Sequence, residues 1–252
     1  MDLQLKGSTV LITGGSSGIG KAAAIGFGQE GARVAVTYLK NREGAKTTVQ
    51  AVRAAGGEAM ELPYDLADGD SIEACLNSIG KEWGGLNVLV NNAAPLDIAG
   101  PTGQKFEEVP LGRWQTMLRD QLEGVVLTIQ KALPLMRKSG WGRIVNVSSD
   151  AVDGWPGLGP YATAKSGLNG LTRVLAKELG QSGILTNVVM PGSVMTEQNE
   201  SHISAEQKEQ IRMHLATRRL TTPEDVARLI LFLGSPVNTS ITGETVRITG
   251  GR

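Results

Sequence analysis

The stretch Thr9-Val10-Leu11-Ile12-Thr13-Gly14-Gly15-Ser16-Ser17-Gly18-Ile19-Gly20 decides how the rest of the chain is read. A short, uniformly apolar run of buried-strand type stops at a glycine cluster and passes directly into a helical pattern over Gly18–Glu30. Glycines let a backbone turn tightly and approach a bound group, and a helix N-terminus offers free amides and partial positive charge. Strand, glycine turn and helix in that order make a seat for a diphosphate. A glycine-rich turn alone is weak evidence, because any tight turn uses glycine. Its placement between strand and helix gives it weight.

Outward from this turn the same alternation repeats. Strands are expected at Thr9–Thr13, Arg33–Leu39, Ala59–Leu62, Asn87–Asn91, Arg143–Val147, Thr186–Met190 and Thr245–Ile248. Most are continuous Val, Ile and Leu, as in strands covered on both faces. Helices are expected at Gly18–Glu30, Glu43–Ala55, Ser71–Trp83, Arg113–Arg137, Tyr161–Leu179 and Pro223–Leu233, with Gly31 as a C-terminal cap and Thr222–Pro223 as an N-terminal one. Strict alternation implies a parallel sheet with right-handed crossovers. No linker, charge block or composition break interrupts residues 1–252. The expectation is a single-domain α/β fold, a Rossmann-type doubly wound parallel sheet of about seven strands with helices on both faces. The longest irregular stretches, Asn92–Leu111, Asp150–Pro160 and Gly192–Thr221, all follow strands. The ligand crevice of such a sheet lies there.

Bulk composition excludes several classes. Of 252 residues, 25 are Lys or Arg and 25 are Asp or Glu, with the basic residues scattered, so no phosphate-tracking stripe exists and nucleic acid is not an expected partner. The single cysteine, Cys75, lies in the helical apolar pattern Ile72–Cys75/Leu76–Ile79–Trp83 and reads as core packing. The opening Met1-Asp2-Leu3-Gln4-Leu5-Lys6-Gly7 carries an early acid and too short an apolar run for a signal peptide. No run reaches the roughly 18 apolar residues of a membrane span. A cytoplasmic location is expected. The histidines, His202 and His214, come without a Cys or carboxylate cluster, and no metal site is expected.

Chemistry-bearing motifs follow the strands in order. Tyr161-Ala162-Thr163-Ala164-Lys165 opens a helix, placing phenol and ammonium four residues apart on one face. Ser149 ends the preceding strand in Asn146-Val147-Ser148-Ser149, with Ser148 as the competing choice. Tyr64-Asp65-Leu66 follows strand three, Asn91-Asn92-Ala93-Ala94 follows strand four, and Pro191-Gly192-Ser193-Val194-Met195-Thr196 follows strand six. Arg218–Ala227 and Thr242-Gly243-Glu244 lead into the last helix and strand. In this order and spacing, over essentially the whole chain, the sequence resembles the short-chain dehydrogenase/reductase family, and within it the β-ketoacyl-ACP reductase-like members.

The resemblance implies a nicotinamide-dependent oxidoreductase that interconverts a ketone or aldehyde and an alcohol. Tyr161 becomes the general acid/base, Ser149 the group that holds the substrate carbonyl, and Lys165 the group that binds ribose and favours the phenolate. Cofactor contacts are implied for Thr13, Gly14, Ser16, Ser17, Gly18, Ile19 and Gly20 of the turn, and for Asp65 and Leu66. Further contacts are implied for Asn92, Ala93 and Ala94, for Tyr161 and Lys165, and for Pro191, Gly192, Val194 and Thr196. Asp65 also fits a helix N-cap. Ala94 departs from the family's Gly. Where the family usually has an Asp after strand two, this chain has Tyr38, so no carboxylate repels a 2′-phosphate, and Lys40 or Arg42 can pair with one. That favours NADP(H) over NAD(H); the plainer reading leaves both cations as solvated loop residues.

A second departure falls in Asp120-Gln121-Leu122-Glu123-Gly124, where Gln121 stands at the family's usual Asn. In the family that Asn organises a proton relay from the lysine through a water on its own carbonyl. Gln121 keeps the carbonyl but adds a methylene. The enzyme reading therefore stands beside two alternatives: an NADP(H)-binding sensor or scaffold of the same fold, and an NAD-dependent alcohol or sugar dehydrogenase. The substrate is expected among Ser149, Pro95, Leu96, Trp155, Met195 and His202. Assembly as a homotetramer or homodimer through the fourth and fifth helices and the last helix and strand is a further implication of the resemblance.

Overall fold

The computed structural model describes residues 2–94 and 104–252. Seven strands form one sheet: β1 (Thr9–Ile12), β2 (Arg33–Tyr38), β3 (Glu58–Pro63), β4 (Val88–Asn91), β5 (Gly142–Val147), β6 (Ile184–Pro191) and β7 (Thr245–Ile248). Their order is β3-β2-β1-β4-β5-β6-β7, and every neighbouring pair is parallel. The order reverses between β1 and β4, where a doubly wound sheet opens its ligand crevice. β1, β4 and β5 are buried along their whole length, which explains their unbroken apolar sequence.

Helices α1 (Gly18–Gln29), α2 (Arg42–Ala54) and α3 (Gly69–Trp83) follow the first three strands. Gly31 turns left-handed just beyond α1 as expected. The start of α3 lies two residues ahead of its expected position because Asp68 caps it, accepting from the Asp70 N–H at 2.9 Å. Two apolar clusters cover the faces of the sheet. One joins Phe27, Ala23 and Val52 to Val10, Val34 and Ile230; the other joins Ile72, Leu76 and Ile79 to Leu89, Ile129 and Leu168. Cys75 belongs to the second, and burial pushes its thiol up to about 12.

The long helix expected over Arg113–Arg137 is interrupted. It runs as α4 (Leu111–Leu118), a π-helical turn over Arg119–Glu123, and α5 (Gly124–Lys138). A π turn inserts one residue into the ladder and rotates the faces on either side of it. Beyond it, Gly124 sits directly over the carbonyl of Leu66, where an added Cβ would collide with that oxygen. We therefore expect Gly124→Ala to cost about 1–3 kcal/mol, because backbone on both sides must move; urea unfolding would measure it.

The remaining helices are α6 (Gly159–Leu179), α7 (Glu197–His202), α8 (Ala205–His214) and α9 (Pro223–Leu233). The stretch Gly192–Thr221, expected to be irregular, thus carries two short helices, capped by Thr196 and Ser204. Neither buries any residue, so no apolar periodicity announces them. The N-cap at Thr222 and Pro223 at the head of α9 are as the sequence predicts.

Candidate active site

The glycine turn after β1 is stapled from both sides. Thr13 Oγ1 donates to the Val90 carbonyl at 3.3 Å and accepts from the Asn92 and Ala93 N–H groups at 2.9 and 3.0 Å. Asn92 Nδ2 donates to the carbonyls of Thr13 and Gly14 at 3.0 and 3.1 Å, and the Gly14 N–H reaches Thr37 Oγ1 at 3.0 Å. The side chains of Thr13 and Asn92, read from sequence as cofactor contacts, are therefore spent on holding the turn. Gly20 is required by close approach: a Cβ there would meet the Gly14 carbonyl oxygen and lie 2.6 Å from Asn92 Nδ2.

These staples present the first amides of α1, which Ser17 does not cap with its side chain. An anion already sits on them. The Gly18 N–H donates to Glu197 Oε2 at 3.0 Å, and Lys21 Nζ donates to Glu197 Oε1 at 3.1 Å. A carboxylate accepted at this position shows that the turn suits a negatively charged oxygen, and a nicotinamide dinucleotide presents its diphosphate in that form.

Tyr38 closes β2 and packs partly against the core. Lys40 is exposed beyond it, and Arg42 opens α2 with its guanidinium 3.9 Å from Glu61. Between them Asn41, which the sequence reading passed over, caps α2 by accepting from the Gly44 N–H at 3.0 Å and reaches Ser16 O at 3.5 Å. Asp65 makes a local turn onto the Ala67 N–H at 2.9 Å, and the N-cap role falls to Asp68 instead. Leu66 packs partly buried beside α5. Ala94 is exposed, and Pro95 and Leu96 lie outside the described residues.

At the end of β5 the two serines divide. Ser148 is buried and donates to the Lys165 carbonyl at 3.3 Å, which ties the strand to α6. Ser149 is half-buried, accepts from the Ala151 N–H at 3.2 Å and lies near enough to Tyr161 to favour its phenolate. Tyr161 and Lys165 both point from α6 toward β5, with Lys165 Nζ 5.6 Å from the Tyr161 ring centroid. Lys165 is almost wholly buried and donates to the Val147 carbonyl at 3.0 Å. Desolvation holds its ammonium down to about 8. Burial likewise raises the Tyr161 phenol, against the lowering by nearby Ser149 and with a small push from Asp150. Burial is thus the largest influence on Tyr161, and it runs against the lowering that the sequence reading assigned to Lys165.

Gln121 lies in the π turn, 1% exposed, and neither its Nε2 nor its Oε1 has a hydrogen-bond partner among the described residues. The π turn packs against α6, the helix of Tyr161 and Lys165. A separate buried chain runs from Asn91 Nδ2 to Asn146 Oδ1 at 2.8 Å and from Asn146 Nδ2 to Thr172 Oγ1 at 2.9 Å, locking β4, β5 and α6 beneath the site.

Pro191 closes β6, and Gly192 extends its pairing with β7, the Gly192 N–H donating to the Ile248 carbonyl at 3.3 Å. The Val194 carbonyl accepts from Asn199 Nδ2 at 2.7 Å and from the Thr196 N–H at 3.0 Å. Thr196 Oγ1 caps α7. Met195 is 8% exposed, whereas Trp155 is exposed. His202 is exposed at the end of α7 and bonded back to Gln198 O at 2.7 Å. The sequence reading missed Arg252, whose guanidinium lies 4.0 Å from the Trp155 ring centroid and 3.3 Å from Asp150 Oδ2. No local signal marks that contact, which joins residues 102 apart in the chain.

Fold and site together define a nicotinamide-dinucleotide oxidoreductase of the doubly wound class. The family described as enoyl-(acyl carrier protein) reductase matches residues 14–252, and the chain belongs to the short-chain dehydrogenase/reductase family. It is 35% identical over 245 residues to the 3-oxoacyl-(acyl-carrier-protein) reductase FabG of Staphylococcus aureus strain Mu50, covering 96% of this chain and 97% of that one. It is also 35% identical over 256 residues to 3beta-hydroxysteroid dehydrogenase 1 of Eggerthella lenta, covering 98% and 94%. A crystal structure of a dehydrogenase/reductase from Sinorhizobium meliloti 1021 superposes with a TM-score of 0.90 at 33% identity, over 99% of this chain and 96% of that chain. The protein is accordingly a short-chain NAD(P)-dependent oxidoreductase. No helix among the described residues is long and apolar enough to cross a membrane.

Proposed function

We propose that this chain is an NADP(H)-dependent ketoreductase in which Tyr161 is the proton donor and acceptor. The observation that carries the reading is the juxtaposition at the end of β5: the buried Tyr161 phenol beside Ser149, with the Lys165 ammonium 5.6 Å from the Tyr161 ring on the same side of α6. A nicotinamide cofactor held by the glycine turn would supply the hydride in reduction and accept it in oxidation. The Ser149 hydroxyl donates to the substrate oxygen and holds it beside Tyr161. Tyr161 gives its proton to that oxygen as charge develops in reduction, and takes it back in oxidation. Lys165 stabilises the phenolate left behind. Gln121, buried in the π turn that packs against α6, stands in the relay at the place of the family's usual Asn.

Support for NADP(H) comes from the end of β2. Tyr38 replaces a carboxylate, and Lys40 and Arg42 flank the place of a 2′-phosphate. Tyr38→Asp is expected to weaken NADPH relative to NADH by about tenfold, a change of about 1.4 kcal/mol, read from the ratio of the two Kd values. The relatives named for 3-oxoacyl and 3-hydroxysteroid chemistry support a secondary alcohol/ketone pair as substrate. Trp155, Met195 and His202 are the proposed walls, together with Pro95 and Leu96, which lie outside the described residues. Exposed Leu111 and Val174 on α4 and α6 support assembly into a dimer or tetramer through those helices. The decisive assay mixes the chain with NADPH and a panel of ketones, aldehydes and β-ketoacyl thioesters; NADPH binding without turnover of any of them would favour a sensor instead.

A further inference from the structure

The cofactor seat of this chain is contested by its own residue. Glu197 comes from the head of α7, 179 residues beyond Gly18, yet its carboxylate accepts the Gly18 N–H at 3.0 Å and the Lys21 ammonium at 3.1 Å. Thr196 supports the approach: its Cγ2 stands 3.1 Å from where a Gly18 Cβ would be, a tight contact, and the positive φ of Gly18 itself favours glycine there. The contact is held from the loop side as well. Thr196 Oγ1 accepts the Asn199 N–H at 3.2 Å, and Asn199 Nδ2 binds the Val194 carbonyl at 2.7 Å. The loop after β6 therefore delivers a carboxylate to the α1 amides as one hydrogen-bonded unit.

We propose that Glu197 is an internal competitor of the cofactor diphosphate, and that Lys21, one turn into α1, becomes a cofactor-binding residue once Glu197 leaves. The physical reason is charge. An α1 N-terminus and one ammonium can balance one anionic group, and a diphosphate placed beside a fixed carboxylate meets like-charge repulsion. Released from Glu197, Lys21 has the reach and sign to pair with the incoming phosphate. Opening the loop would then be coupled to cofactor arrival, and the apparent cofactor Kd would be the intrinsic one divided by the fraction of molecules with Glu197 withdrawn. The inference rests on the reading that this turn binds a nicotinamide dinucleotide.

The test is equilibrium binding to the full chain, with NADPH and NADH followed by their fluorescence and inorganic diphosphate followed by calorimetry. Glu197→Gln keeps the size of the side chain and removes its charge; it is expected to tighten both NADPH and inorganic diphosphate by about two- to fivefold, the range of an exposed charge at a helix terminus. Lys21→Met is expected to weaken NADPH by a similar factor. Unchanged or weaker NADPH binding in Glu197→Gln overturns the competitor role and makes Glu197 a clasp on the bound cofactor. Unchanged or tighter binding in Lys21→Met removes Lys21 from the phosphate. Failure of the unaltered chain to bind either dinucleotide strikes the cofactor reading itself, a result distinct from both. Melting temperatures confirm that the variants fold, since the Lys21 side chain is 35% and the Glu197 side chain 58% exposed.

Discussion

Replacing Tyr161 with Phe is expected to lower kcat for carbonyl reduction by about 10²–10⁴-fold, the usual contribution of a positioned general acid, while leaving NADPH affinity unchanged. The side chain is 8% exposed, and phenylalanine fills the same volume without the hydroxyl, so the fold should persist. What is lost is the proton delivered to the substrate oxygen. The pH dependence follows from the direction of the shift. Burial raises the Tyr161 phenol above its ordinary value of 10.0. The protonated form used in reduction is therefore fully present across neutral pH and is lost only as pH climbs through that raised value. Oxidation, which uses the phenolate, should run the opposite way and rise with pH. Parallel kcat profiles in the two directions, with the Tyr161→Phe control, check both. A variant that retained more than about a tenth of the original rate would remove Tyr161 from the proton transfer.

Lys165→Met is expected to abolish turnover yet change stability in a pH-dependent way that identifies the ammonium as a buried charge. Lys165 is 3% exposed, and its Nζ hydrogen bond goes to the Val147 carbonyl. Desolvation brings it from 10.5 to about 8. Below pH 8 the side chain is charged whether folded or unfolded, and the folded chain carries the full desolvation cost. Between pH 8 and 10.5 the unfolded chain still holds the proton that the folded chain has released, so the stability contributed by this residue rises with pH. A shift of this size corresponds to about 3 kcal/mol. Methionine removes the cost but leaves the Val147 carbonyl without its donor, so the two effects partly cancel at neutral pH. The stability of the variant relative to the unaltered chain should therefore be greater at pH 7 than at pH 10, by about 2–3 kcal/mol. Comparing the two chains cancels the opposite slopes from Tyr64, Cys75 and Tyr161, whose values burial raises. Urea unfolding at the two pH values measures it, and an equal difference at both would place Lys165 in a wetter setting than its contacts describe.

The order of strands and helices was legible because most strands are apolar along their length and several helices carry caps that local chemistry explains. Ser149, Tyr161 and Lys165 were legible for a related reason: the chain turns at the carboxyl end of β5 and brings a fixed spacing onto one helix face. The π turn at Gln121 was not, since Asp120–Gly124 carries the same helical periodicity with or without an inserted residue, and packing of Gly124 on Leu66 and of Leu122 on Gly167 fixes its position. Helices α7 and α8 escaped notice because they bury nothing.

Sequence by itself determined the doubly wound parallel fold and the glycine turn, and it singled out Ser149, Tyr161 and Lys165 as candidates, because these are written in short segments whose local preferences agree. Tertiary structure alone decided that Ser148 is structural, that Thr13 and Asn92 hold the turn together, and that Glu197 lies on the α1 amides and Arg252 on Trp155. Each of these joins residues far apart in the chain through a hydrogen bond or charge contact, and such partners are chosen by where the sheet delivers them.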